Sequence, residues 1–186
     1  MQITLDTNNM SIIIDGKAYA ITDKSSNDPA TAPTKKTMAD FFEADEGAKE
    51  WDATVAKIQT WYYGYVSKTA WCATSLSYYA NMAGVADQTG KYNNVDRVKD
   101  FMNSRGMLDC TKNYGGGHYV PKRGDVVFMS DKKTYADCTH IGVISDINTS
   151  KGTVTVISGN CADSICKRTY NYLTDKYVVA WGRIVY

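Results

Sequence analysis

No apolar stretch among the 186 residues approaches the roughly 18 needed to cross a bilayer, which argues against membrane insertion. The segment Met1 to Ile21 has no basic start and no continuous apolar run, being broken by Asp6, Asn8 and Asn9. No export leader is read there, so a protein made in the cytoplasm and acting outside it would need another agent to release it. Charge of one sign is also missing: 21 basic and 20 acidic residues leave a net +1 with no long block, and the electrostatic case for nucleic acid falls away. C-x-x-C pairs are absent, so a cysteine-based zinc site is not expected, and five cysteines, an odd number, cannot form a complete disulfide framework. At least one thiol is therefore free. Cys161 and Cys166 are close enough in sequence to bridge in an oxidising setting, while Cys110 and Cys138 leave their pairing open. Gly115 to Gly117 is no phosphate loop, because neither a Lys-Ser/Thr pair nor a helix follows it.

What is present begins with length, which suits one full core with a short appendage. Gln2 to Leu5, Ser11 to Ile14 and Lys17 to Ile21 are β-prone runs, with Asp15-Gly16 offering a turn between the last two, so residues 1–21 read as a small hairpin or meander. Thr22 to Thr37 shifts to Ser, Asn, Asp, Thr and Lys with Pro29 and Pro33, a linker composition. The expected organisation is an extension over 1–36 and a catalytic domain over 37–186. Aromatic residues make up 12% of the chain, with 14 tyrosines, which suits a face that contacts peptide or sugar as well as packing between sheet and helices.

Within the larger domain, Thr37 or Asp40 is placed to cap a helix running to about residue 48. Asp52 is placed to cap another carrying Val55, Ile58, Trp61, Tyr62 and Val66 at helical spacing. A third helix opens at Cys72, with Leu76, Tyr79, Ala80 and Ala83 as one apolar stripe before Gly84, and a fourth runs from Val95 to Ser104. Strands are then expected at Val126–Met129, His140–Ile144, Thr153–Ile157 and Tyr177–Tyr186. Helices followed by an antiparallel meander indicate an α+β fold.

Cys72 therefore sits in the first turn of a helix, where unpaired N–H groups and the positive dipole end favour thiolate and are expected to lower its pKa. A thiol hydrolase also needs an imidazole and a polar group that fixes the ring. His140 begins one strand and Asn160 ends the next, so antiparallel pairing brings them near each other. His118, in a glycine loop, is the rival base, but such a loop orients a ring poorly.

These residues fall in a pattern: Ala70-Trp71-Cys72-Ala73 with Ser77-Tyr78-Tyr79-Ala80-Asn81-Met82-Ala83-Gly84, then Pro121-Lys122-Arg123-Gly124-Asp125-Val126-Val127-Phe128. Thr139-His140-Ile141-Gly142-Val143-Ile144, Val156-Ile157-Ser158-Gly159-Asn160 and Ala180-Trp181-Gly182-Arg183 follow. Over about residues 55–186 the chain resembles the CHAP family of amidohydrolases and peptidases, which shares a papain-like core with the NlpC-type cell-wall peptidases. The resemblance implies helices packed on an antiparallel sheet, a Cys72 nucleophile, a His140 general base and acid, and an Asn160 that orients the ring. It also implies amide cleavage in bacterial peptidoglycan through an acyl-enzyme, as in bacteriophage lysins. Trp71 and Ser158 are assigned to substrate contact, Trp71 serving equally as a wedge at the helix start. Many family members carry glutamate where Ser158 stands, so a four-part site is reduced here to three. The closely spaced aspartates that bind calcium in some members have no counterpart upstream of Cys72, and no cofactor or metal is expected. Residues 1–36 are a candidate docking segment for a virion or targeting partner. Two other functions fit the same residues: a silent CHAP-fold module, for which the missing acid at Ser158 speaks, and a thiol hydrolase or toxin acting on an amide outside the wall.

Overall fold

The structure is a computed structural model that describes residues 35–186 and, before them, the strands β1 (Ile3–Asp6), β2 (Ser11–Ile14) and β3 (Lys17–Ala20). The Asp15-Gly16 turn and the linker composition from Thr22 to Thr34 lie outside the described residues. Residues 1–34 and 35–186 form two compact units. In the first, β2 pairs antiparallel with both β1 and β3, with Ile3 opposite Ile14 and Ile12 opposite Tyr19.

The second unit is α+β. Five helices, α1 (Met38–Ala44), α2 (Ala53–Tyr63), α3 (Cys72–Met82), α4 (Ala86–Thr89) and α5 (Val95–Ser104), precede a six-stranded antiparallel sheet. Its strands are β4 (Leu108–Cys110), β5 (Val126–Met129), β6 (His140–Asn148), β7 (Thr153–Ser158), β8 (Cys166–Asn171) and β9 (Val178–Gly182), in the order β4-β9-β5-β6-β7-β8.

Local chemistry explains most helix ends. Thr37 and Asp40 form a reciprocal capping box at the start of α1, each side chain accepting from the other's backbone N–H. The helix stops at Ala44, short of the expected residue 48, because Asp45 accepts from the Tyr79 hydroxyl (2.7 Å) and the Gly47 N–H turns to the Ile165 carbonyl. α2 ends where Gly64 takes the left-handed conformation, so Val66 lies beyond the helix and is exposed. Arg123 ties α1 to the sheet, bonding Asp40, Glu43 and the Ser145 carbonyl.

α3 is the central element. All nine residues from Cys72 to Ala80 are buried, where the sequence suggested a single stripe, because the helix is enclosed by α1, α2 and the sheet. Its buried hydroxyls are satisfied locally: Ser75 donates to the Cys72 carbonyl (2.8 Å) and Ser77 to the Tyr92 carbonyl (2.8 Å).

The sheet has two buried faces. Phe128, Ile141, Val143, Ile157 and Val179 meet the helices, and Val127, Met129, Ile144, Val154, Val156 and Trp181 form a second cluster on the other side. Tyr119, Tyr170, Tyr172 and Tyr177 cover that second cluster, so several of the tyrosines shield the far side of the sheet. Asp125 anchors the Pro121–Asp125 turn, accepting from Tyr119, the Lys122 N–H and the Ile184 N–H. The last strand is shorter than its apolar run, because beyond Gly182 the chain turns to Gln88 and Gly124 instead of a neighbouring strand.

Candidate active site

Cys72 is the first residue of α3, with its side chain only 6% exposed. It packs in the same cluster as Ile141, the second residue of β6. The backbone N–H groups of Ala73, Ile141 and Cys72 itself point at the sulfur. Burial nevertheless outweighs them and raises the thiol's pKa above its usual value. The lowered pKa expected from the helix start alone is therefore overturned: the dipole acts, but the desolvation of a buried sulfur is larger.

His140 opens β6, opposite Met129 of β5. Strand alternation turns it to the tyrosine-covered face, and its Nε2 lies 2.9 Å from the Ser158 hydroxyl. Among the described residues the ring's hydrogen-bond partner is thus Ser158, where the sequence pointed to Asn160, and no hydrogen bond joins the ring to Cys72. The reason is register. Ser158 ends β7 on the face that His140 occupies, while Asn160 has already left the strand in the left-handed conformation (φ 56°). Gly142 makes the Ser158 contact possible: a Cβ there would stand 2.7 Å from the Ile157 carbonyl and 2.9 Å from the Ser158 Cβ. Burial, reinforced by the nearby Arg168 cation and opposed by Asp131, pushes the His140 pKa down to about 4.

Asn160 is not remote. It lines a cavity of about 230 Å³ with Asp131, Thr139, His140, Arg168, Tyr170 and Tyr177. Its loop is closed by a disulfide between Cys161 and Cys166, whose Cα atoms are 5.6 Å apart, and Cys166 faces Ser158 across the β7–β8 ladder. Cys72, Cys110 and Cys138 are free thiols.

Trp71 does not line a groove. It is fully buried, and a Cβ on Gly159 would lie 2.5 Å from its ring, so the indole is the wedge that seats the helix start against the β7 end. His118 is exposed and outside the cavity. Among the described residues no three His, Cys, Asp or Glu side chains gather as a metal site, and no helix is long and apolar enough to cross a membrane.

Tyr63 is a neighbour that spacing did not single out. Its hydroxyl receives hydrogen bonds from Thr69 (3.2 Å) and Asn93 (3.2 Å) and lies 3.4 Å from the Thr74 hydroxyl. Burial raises its pKa, but these three bonds outweigh that and lower it, while the charge on Cys72 acts in the opposite sense. A Tyr-Gly pair eight residues before the cysteine was the available signal, and nothing local in it reports a partner thirty residues away.

With the thiol raised and the imidazole lowered, both groups rest uncharged near neutral pH. The alkylation rate of Cys72 by iodoacetamide should therefore climb with pH past the ordinary cysteine value of about 8.5, with no plateau in the neutral range. A flat, fast rate from about pH 5 to 8 would show a preformed thiolate–imidazolium pair and overturn this expectation.

The family model for the CHAP domain matches residues 61–160, a little over half of the chain, and so takes in Cys72, His140, Ser158 and Asn160. No curated protein matches the chain.

Proposed function

Because the chain belongs to the CHAP domain family, we propose that it is a peptidoglycan hydrolase, an amidase or endopeptidase with Cys72 as its nucleophile. The observation that carries the reading is the placement of Cys72 at the start of a buried helix, against the first residues of the strand that His140 opens. In the tautomer the site needs, Nε2–H donates to the Ser158 hydroxyl and leaves Nδ1 as the base. Nδ1 takes the thiol proton as sulfur attacks the amide carbonyl, and returns it to the leaving nitrogen as the C–N bond breaks. Water, deprotonated by the same nitrogen, then displaces sulfur from the acyl-enzyme and releases the acid. The N–H groups that surround Cys72 are suited to the tetrahedral oxyanion.

Ser158 holds the ring without supplying a negative charge, so the imidazolium formed during turnover relies on the rest of the site. The disulfide beside the cavity is the chemistry of an oxidising space outside the cytosol, which supports action at the bacterial wall, and a lysin of phage type is the form of that action we propose. Residues 1–36 are assigned to docking on a wall or virion component.

Purified peptidoglycan incubated with the wild type and with Cys72→Ala tests the reading, with released fragments identified by mass spectrometry. Cys72-dependent fragments are expected, and their ends name the bond. Intact walls alongside cleavage of a protein substrate would move the enzyme to a non-wall amide, and inactivity on both would leave a silent module.

A further inference from the structure

We infer that Arg168 forms a carboxylate-binding subsite beside the catalytic ring, selecting peptide substrates that carry a free carboxylate next to the scissile amide. This rests on the hydrolase reading above. The cavity that holds His140 and Asn160 is small, polar and open, the size of one residue of a peptide and not of a whole ligand. Its one guanidinium comes from Arg168, an exposed residue of the edge strand β8 paired with Val156, on the face that His140 and Ser158 share.

Among the described residues Arg168 forms no ion pair, a state it shares with Arg97 and Arg105, but of these three arginines it is the one that lines the cavity with His140. The nearest carboxylate in the cavity, Asp131, follows β5 and is occupied by the Thr139 hydroxyl at 3.1 Å. β6 and β7 lie between β5, which Asp131 follows, and β8, and among the described residues no ion pair joins Asp131 to Arg168. A cation beside the ring opposes protonation of His140, and a carboxylate bound to that cation offsets the effect. A planar guanidinium with Tyr170 beside it matches a carboxylate in two-point geometry, which an amide cannot reproduce.

The test uses muropeptides in four forms: the α-carboxylate of the γ-linked glutamate free or amidated, and the terminal carboxylate free or amidated. Binding of each to the full chain carrying Cys72→Ala is measured by calorimetry, which does not require turnover, and cleavage by the wild type is measured in parallel. The free acid at one of the two positions should bind on the order of tenfold or more tighter than its amide, appearing in cleavage as a KM difference with little change in kcat. Arg168→Gln should erase that preference and Arg168→Lys keep part of it. Equal binding of acid and amide at both positions, or a preference that survives Arg168→Gln, overturns the subsite. Failure of Cys72-dependent wall cleavage with the acid preference intact would instead count against the hydrolase reading alone.

Discussion

Cys72→Ala is expected to reduce hydrolysis to background, a loss on the order of a thousandfold or more, while the far-UV spectrum and unfolding midpoint stay near those of the wild type. The side chain lost is small, and the helix that carries it is held by Leu76, Tyr79 and Ala80 packing against the neighbouring elements, not by the sulfur. His140→Ala should cost nearly as much, and the double variant little more than either single one, because a nucleophile without its base and a base without its nucleophile fail at the same step. Steady-state rates on solubilised wall fragments measure all three. Two single losses that multiplied in the double variant would mean that the residues act independently, and the proposed proton transfer between them would be wrong.

Trp71→Ala is the second large effect, and it falls on stability. The indole is fully buried and bounded by Gly159, where there is no room for even a Cβ. Emptying that volume should cost about 3–5 kcal/mol, read as a lowered urea midpoint without substrate present. Trp71→Phe, which keeps most of the ring, should lose much less. The sequence alone allowed Trp71 to serve as substrate contact or wedge, and the two differ in this measurement. A substrate contact would leave the urea midpoint unchanged and raise KM.

Much of the local architecture was legible in the residues. Cys72 opening α3, α5 over Val95–Ser104, β5 over Val126–Met129 and His140 opening β6 all match the periodicity of their own side chains. These elements bury an apolar face that can be counted along the chain. β8 was not legible, because as an edge strand it is written with Lys167, Arg168 and Thr169 facing solvent and carries little apolar signal. α4 and β4, of four and three residues, are too short to show a period.

The site divides in the same way. Residue types and their order along the chain determined by themselves that a cysteine, a histidine and a polar group at the end of the next strand would stand at the starts and ends of particular elements. Only the tertiary structure decided that Ser158 and not Asn160 bonds the ring, that Trp71 is a wedge, and that burial outweighs the helix start at Cys72. It alone also set an arginine from an edge strand in the cavity that His140 lines. The physical reason is common to all four: hydrogen-bond register, close packing and desolvation depend on atoms from distant segments, and no window of local sequence contains them.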